Sequence, residues 1–310
     1  MASMRALHVL VASVLATLLT MPVAQTAELP PSVKLLRVNG YDMAYVERGS
    51  GRPLVMVHGA MNDYRTWAAQ MEPLSQGNRV IAVSLRHYFP ERWDGKGGTF
   101  SWKQHVADLI SFSKALDAGP IGLVGHSRGG LVALEVALAE PELVRSLILA
   151  EPGLILDESG GFGSALQENA AARTAAAERA DRIKSALNRF QAGDIDGGLE
   201  IYVDAVGGAG SWKERPEAQR QILRDNAWTV QGMEEEQRRP VSCGDLKSLK
   251  MPVLLVGGER SPQRYGEVLT VIEPCLKNRA RVTIPNASHG MNRMNPAAFN
   301  SAVAQFLSTH

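Results

Sequence analysis

The sequence predicts an α/β fold with a mostly parallel, eight-stranded sheet flanked by helices. Six short, almost continuously apolar runs are typical of strands buried on both faces, at residues 53–59, 79–85, 121–127, 144–151, 252–259 and 280–285. Helical patterns separate or follow these runs at residues 64–74, 101–116, 129–139, 262–275 and 296–307. Alternation of this kind favours a parallel sheet covered by helices on both faces.

Two further β-rich runs precede the apolar ones. They span residues 33–40 and 41–49 and meet at Asn39-Gly40. Asn-Gly between such runs is a strong signal for a tight β-hairpin, because both residues tolerate a positive φ. With these two, the predicted sheet has eight strands.

One long interval interrupts the alternation. Residues 152–249 have a helix-forming sequence that is interrupted by glycines at 193–198 and 207–210, and they contain no convincing strand pattern. Since α/β sheets bind ligands beyond the carboxyl ends of their strands, we expect a helical lid inserted after the sixth strand. The core domain would then comprise residues 28–151 and 250–310.

Composition excludes several classes of protein. The 310 residues include 33 Lys and Arg against 32 Asp and Glu, so no overall field attracts a polyanion, and we expect no nucleic-acid partner. The balance weakly favours an uncharged small-molecule substrate, and no pattern indicates an oligomeric state. Two cysteines exclude a disulfide scaffold or a Cys-rich metal module. Nucleotide and metal-protease motifs are absent from the sequence, so we expect no cofactor and no metal.

The first residues are typical of a secretory signal peptide, predicted over residues 1–27. Arg5 precedes an apolar run from Val9 to Met21, which is too short to cross a hydrocarbon core of roughly 30 Å comfortably. An uncleaved anchor and a misassigned start are the alternatives. We expect a periplasmic or secreted protein without stable membrane insertion after cleavage. Such a compartment permits a Cys243–Cys275 disulfide, with two buried free thiols as the alternative.

A chemical motif lies at the end of the fifth strand. Residues 125–129 read Gly-His-Ser-Arg-Gly, a G-x-S-x-G between a predicted strand and a predicted helix. A turn this sharp places its apex residue in a strained conformation and needs small neighbours, which Gly125 and Gly129 supply. We therefore predict Ser127 as a nucleophile.

A serine hydroxyl needs a base, and the negative charge that develops on the attacked carbonyl needs hydrogen-bond donors. Of the seven histidines, His289 is the candidate base by elimination, since it lies in the loop just after the last strand. The turn after the third strand can offer the N–H of Ala60, and the helix that follows Ser127 offers the N–H of Arg128. These two groups are the predicted oxyanion hole, whereas His58 is expected to be structural.

In combination, the segments HGAM, GHSRGG and ASHGM resemble the α/β-hydrolase superfamily, in its lid-bearing branch. The resemblance covers the chain from about Val33 onwards and implies the α/β-hydrolase fold, with Ser127, His289, Ala60 and Arg128 in the roles described above.

The third member of the expected triad departs from the common family pattern. Most relatives have an Asp after the seventh strand, where this chain has Ser261. Glu151, at the end of the sixth strand, is the favoured replacement, and Glu259 is the alternative. Asp157, Glu158 or no acid at all are further possibilities.

The predicted function is that of a serine hydrolase that cleaves a carboxylic ester or related acyl bond through an acyl-enzyme. The same fold and triad also serve C–C bond hydrolysis, lyase and cofactor-free haloperoxidase chemistry, and a catalytically inactive ligand-binding protein is a further alternative. Glu234-Glu235-Glu236, followed by Arg238-Arg239, is predicted to be a solvated helical face.

Overall fold

A computed structural model describes residues 30, 32–91, 93–96, 100–157, 159–162 and 170–310, without the side chains of residues 170–177 and 179. The predicted signal peptide and the alternative acid Glu158 lie outside these residues.

The eight-stranded, mostly parallel sheet is confirmed. Its strands are β1 (Lys34–Val38), β2 (Tyr41–Arg48), β3 (Arg52–Val57), β4 (Asn78–Val83), β5 (Ile121–His126), β6 (Val144–Ala150), β7 (Val253–Gly258) and β8 (Arg279–Ile284). Their order is β1-β2-β4-β3-β5-β6-β7-β8. The hairpin β1–β2 and the pair β2–β4 are antiparallel, and all other pairs are parallel. The carboxyl ends of β3 to β8 therefore share one edge of the sheet.

Helices cover both faces of this sheet. Those of the core are α1 (Ala68–Leu74), α2 (Trp102–Ala115), α3 (Arg128–Ala139), α9 (Gln263–Ile272), α10 (Met291–Met294) and α11 (Pro296–Ser308). Leu123 packs in the cluster that includes Phe112 and Leu131, whereas its neighbour Val124 packs with Trp67 and Phe299 on the opposite face. Burial of successive residues on opposite faces explains why β5 is apolar without alternation.

We call residues 152–249 the insertion. Its helices are α4 (Ala170–Gln191), α5 (Ile195–Gly207), α6 (Glu217–Asp225), α7 (Thr229–Glu235) and α8 (Cys243–Ser248). It has its own apolar cluster, which includes Phe190, Leu199 and Trp212 and also receives Met61 from the core. The turn after β3 thus packs directly into the insertion.

The two ends of the insertion are joined to each other and to the core. The Val241 N–H donates to the Ile155 carbonyl at 2.8 Å, and the Asp157 N–H donates to the Val241 carbonyl at 2.9 Å. Cys243, at the start of α8, forms a disulfide with Cys275, which follows α9. Of the two alternatives for these cysteines, the structure has the bridge. Within the described ranges, no helix combines the length and apolarity needed to cross a membrane.

Candidate active site

Ser127 occupies a strained turn between β5 and α3. Its φ of 51° and ψ of −117° put a residue with a side chain in a region that favours glycine. The surrounding backbone holds it there: the Ser127 N–H donates to the Ala150 carbonyl at 2.9 Å, and the Ser127 carbonyl accepts from the Gly130 and Gly153 N–H groups at 2.9 and 2.8 Å. The turn therefore presents this hydroxyl at the carboxyl edge of the sheet.

The glycines of the motif are required by close approach of the backbone. A Cβ on Gly125 would lie 2.7 Å from the Cα of Gly130, and one on Gly129 would lie 2.5 Å from the carbonyl oxygen of His58. Both distances are shorter than real contacts of a Cβ atom. The turn can close only without these side chains, as the sequence motif predicts.

His289 lies in the loop after β8 and lines the same cavity as Ser127. Its Nδ1 is 2.6 Å from Oε2 of Glu151. Since a carboxylate only accepts, Nδ1 carries the proton, and the neutral ring has a free lone pair on Nε2. That Nε2 is buried and has no hydrogen-bond partner among the described residues. Burial lowers the pKa of His289 below its usual value, and the charge of Glu151 opposes that shift.

Three contacts hold His289 and its loop, one to the imidazole, one to the His289 carbonyl and one to the preceding residue. The ring of Tyr265 stacks on it with centroids 3.9 Å apart and planes inclined by 10°. His126 Nε2 donates to the His289 carbonyl at 2.6 Å, and the hydroxyl of Ser288 donates to the Gly207 carbonyl of the insertion at 2.8 Å. No motif indicates Tyr265, because it belongs to an ordinary amphipathic helix.

Glu151 directly follows β6 and is 1% exposed. Its backbone also adopts a positive φ, of 41°, while its N–H donates to the Val256 carbonyl at 3.0 Å. One carboxylate oxygen contacts His289, and the other accepts from the Gly258 N–H at 2.8 Å. Both oxygens of this buried carboxylate are thus paired, as burial of a polar group requires.

The structure does not bring the alternative acids to His289. Glu259 is exposed, and its carboxylate accepts from the Asn286 N–H at 2.7 Å. The carboxylate of Asp157 accepts from the N–H and hydroxyl of Ser159, at 3.0 and 2.7 Å. Among the acids proposed from sequence that the structure describes, Glu151 is the one that contacts the imidazole.

The two predicted oxyanion donors flank Ser127 in the cavity wall. Arg128 is the first residue of α3, where backbone N–H groups have no intrahelical acceptor. Ala60 lies in the turn after β3, which is closed by the Asn62 amide donating to the Ala60 carbonyl at 2.7 Å. His58 bonds the Gly59 carbonyl through Nδ1 at 2.8 Å, and its Nε2 accepts from the Leu85 N–H at 3.1 Å. Both ring nitrogens of His58 are therefore occupied by backbone.

The side chain of Arg128 forms a buried ion pair that no pattern in the sequence indicates. Its guanidinium donates to both carboxylate oxygens of Glu236, and the two side chains are 2% and 3% exposed. The expectation that Glu234, Glu235 and Glu236 form a solvated face is therefore wrong for Glu236. The error arises because the partner of Glu236 lies more than a hundred residues earlier in the chain, on α3.

These residues surround a cavity of about 710 Å³ between the sheet edge and the insertion. Besides Ser127, His289, Ala60 and Arg128, its wall includes apolar side chains of the insertion and several arginines. Such a volume suits a small organic molecule. In the part of the chain that the structure describes, no group of three or more His, Cys, Asp or Glu side chains is placed to hold a metal ion.

Comparison with known proteins agrees with this architecture. The model of the alpha/beta hydrolase family matches residues 54–302, and the chain belongs to that family. An (E)-2-((N-methylformamido)methylene)succinate hydrolase of Acinetobacter baylyi is 22% identical over 269 residues, which is 86% of this chain and 94% of that protein. Other curated relatives align over 36% to 46% of their own length.

Solved structures show the same fold. A bromoperoxidase from Bacillus anthracis superposes with a TM-score of 0.70 at 21% identity, covering 89% of this chain and 100% of its own. A thermophilic esterase from Thermogutta terrifontis superposes with a TM-score of 0.67 at 22% identity, covering 89% and 97%. At these identities the likeness extends to the fold and not to the substrate.

Proposed function

We propose that the protein is a serine hydrolase that cleaves a carboxylic ester or a related acyl bond of a small substrate through an acyl-enzyme. One observation carries the proposal: His289 is held between the buried carboxylate of Glu151 and the cavity that Ser127 lines, and no described residue bonds its Nε2. This is the arrangement that a general base needs to accept a proton from a nucleophile.

In the proposed mechanism, Nε2 of His289 takes the proton of the Ser127 hydroxyl as its oxygen attacks the acyl carbon. The N–H groups of Ala60 and Arg128 stabilise the resulting oxyanion, a contribution worth roughly 3 kcal/mol for each donor. His289 then protonates the leaving alcohol, and in the second half-reaction it activates water to release the acid. Glu151 holds the tautomer and stabilises the imidazolium of both steps.

The likeness to the Thermogutta esterase supports ester cleavage, whereas the likeness to the bromoperoxidase keeps cofactor-free haloperoxidase chemistry as the second candidate. C–C bond hydrolysis and lyase chemistry would use the same three residues. An inert binding protein is the weakest alternative, because the serine turn, the buried acid and an Nε2 that no described residue bonds are all present.

The helical insertion would act as the lid of this enzyme, since its residues form one wall of the cavity. We further propose export to the periplasm or the medium, where the Cys243–Cys275 disulfide would persist.

Hydrolysis of short p-nitrophenyl esters and labelling by a fluorophosphonate test the proposal. Both should be lost in Ser127→Ala, with a fall in turnover of at least about 10⁴-fold. Glu235→Ala, on the exposed side of the insertion, is the matched control and should retain both. Undiminished ester turnover in Ser127→Ala would overturn the mechanism, and labelling without ester hydrolysis would favour the alternative chemistries.

A further inference from the structure

Two arginines of the cavity wall have no anionic partner among the residues that the structure describes. Arg215 lies between α5 and α6, Arg293 lies in α10, and both line the cavity with Ser127 and His289. Nε of Arg215 is buried without a hydrogen-bond partner among the described residues. Arg293 donates to the neutral amide oxygen of Gln219 at 2.5 Å. Neither guanidinium forms an ion pair with any carboxylate that the structure describes.

Other arginines around the cavity are used by the fold. Arg128 and Arg238 both pair with Glu236. Arg264 donates to the carbonyls of Ala205 and Val206, at the end of α5. Arg128 and Arg264 thereby join the core to the insertion, and Arg293 does so through the neutral amide of Gln219.

The carboxylate of Asp204 acts on Arg215 through its charge but forms no ion pair with it in the described part of the chain. Its two oxygens already accept from the N–H groups of Gly210 and Trp212, each at 2.9 Å. That carboxylate is therefore engaged in closing the turn after α5.

The absence of a partner leaves the two cations electrostatically unfavourable. Burial lowers the pKa of Arg215 to about 10. Burial and the neighbouring charge of Arg215 together lower the pKa of Arg293 well below its usual range. Two desolvated guanidinium groups that repel each other are a cost to the folded protein, and an anion bound between them would offset it.

Arg293 lies beside the reacting centre. A Cβ on Gly290 would be 3.0 Å from Cζ of Arg293, so the guanidinium folds back against the residue that follows His289. An anionic group bound there would belong to the same small molecule whose acyl carbon reaches Ser127.

We propose that Arg215 and Arg293 form a subsite for a carboxylate of the substrate, so that the enzyme hydrolyses small monoesters that carry a second, ionised carboxyl group. The inference rests on the proposed esterase function and specifies its substrate class. It replaces the expectation of an uncharged substrate, which came from net charge alone. A planar guanidinium donates two parallel hydrogen bonds to a carboxylate, which is the one charged group of such a monoester.

Matched pairs of esters test the proposal. Monomethyl glutarate and monomethyl adipate are compared with methyl valerate and methyl caproate, and acetoxyacetate with ethyl acetate, by pH-stat titration. In the wild-type enzyme, kcat/KM should be at least about tenfold higher for the charged member of at least one pair, as a charge-assisted hydrogen bond allows. The ratio of kcat/KM for the charged ester to kcat/KM for its neutral partner should fall at least about tenfold in Arg215→Gln or Arg293→Gln. Arg293→Lys should retain part of this preference.

Arg220→Gln is the matched control, since Arg220 lies in the same part of the insertion but bonds the Lys213 carbonyl and does not line the cavity. Its ratio should equal that of the wild type. Equal kcat/KM within every pair for the wild type, or a ratio that persists in both Gln variants, would overturn the proposal.

A binding measurement separates this inference from the esterase function. Glutarate should raise the melting temperature of the wild type and of Ser127→Ala, but not of Arg215→Gln/Arg293→Gln. If no ester is hydrolysed and glutarate still stabilises through the two arginines, the reaction is wrong and the carboxylate subsite stands. If esters are hydrolysed and glutarate stabilises neither protein, the subsite is wrong and the esterase stands.

Discussion

The two walls of the cavity are built in different ways. On the sheet edge, Ser127 and Glu151 directly follow the neighbouring strands β5 and β6, and both have a positive φ, of 51° and 41°. Their N–H groups donate to the Ala150 and Val256 carbonyls of adjacent strands. Backbone hydrogen bonds within a parallel sheet thus impose the strained conformations that aim the two side chains.

Besides the apolar packing around Met61 and the Cys243–Cys275 disulfide, polar side-chain contacts over long sequence separations position the insertion. Glu236 pairs with Arg128, and the Asn226 amide donates to Asp63 at 2.7 Å. Arg264 donates to the Val206 carbonyl at 2.6 Å. Local backbone geometry therefore orients the reacting groups, whereas individual polar side chains position the wall that faces the substrate. Substitutions should therefore affect chemistry on one wall, and docking or specificity on the other.

The largest effect is expected for Glu151→Gln on the sheet edge. An amide can hold the wrong imidazole tautomer and cannot stabilise an imidazolium, so kcat on an activated ester should fall by about 10⁴-fold, with little change in the fold. Steady-state kinetics on a p-nitrophenyl ester, with circular dichroism as a check of folding, measure it.

Glu259→Gln is the control for Glu151→Gln, because Glu259 is exposed and contacts the Asn286 N–H rather than the imidazole. Its kcat should stay within a small factor of the wild type. If Glu259→Gln lost activity and Glu151→Gln kept it, the acid would be misassigned and the loop after β7 would have to rearrange during turnover.

The next largest effect is expected for Glu236→Ala on the insertion side. This change leaves the guanidinium of Arg128 buried and unpaired, which should lower the free energy of unfolding by about 3–5 kcal/mol in urea denaturation. Glu235→Ala removes an exposed carboxylate one residue earlier and should change the free energy of unfolding by about 0.5 kcal/mol or less.

Replacing both partners distinguishes a buried charge from a general loss of packing. Arg128→Met/Glu236→Met should recover most of the stability lost in Glu236→Ala, because no charge remains buried. The N–H of residue 128 is kept in that variant, so ester hydrolysis should survive. Equal destabilisation by Glu235→Ala and Glu236→Ala would contradict the idea that this ion pair docks the insertion.

The same contrast explains what could be predicted from sequence. Six strands follow from apolar runs and two from β-rich runs that meet at Asn39-Gly40. The turn at Ser127 follows from glycines, which the close approach of the backbone requires. The proximity of Glu151 to His289 could be anticipated because parallel strands end at one edge of the sheet. The parallel topology therefore predicts a carboxylate near the imidazole.

Contacts between side chains that are distant in sequence could not be predicted in this way, either in the insertion or in the core. Glu236 lies in a run of charges that is usually solvated, and only the fold brings Arg128 to it. Arg215 and Arg293 are indistinguishable in sequence from surface arginines. Only the structure shows that no described carboxylate forms an ion pair with either of them. Tyr265 stacks on His289 from a helix whose pattern indicates only which face is buried.

The smallest effects are expected in the pH profile, which depends on the charges around His289. The acid limb of kcat/KM reports the pKa of the base in the free enzyme. Burial places the pKa of His289 below its usual 6.5, so His289 stays neutral and the wild type should keep activity below that pH. Glu151 raises this pKa, whereas the charges of Arg264 and Arg293 lower it.

Removing opposing charges should therefore move the acid limb in opposite directions. In Glu151→Gln the imidazolium loses its carboxylate, so the pKa of His289 falls and the residual activity should extend to lower pH. In Arg293→Gln a repelling cation disappears, so the pKa rises and the limb should move to higher pH. Profiles of kcat/KM for a neutral ester in all three proteins measure both shifts, with Arg220→Gln as the unshifted reference. Movement of both limbs in the same direction would show that Glu151 and Arg293 do not act on His289 through their charges.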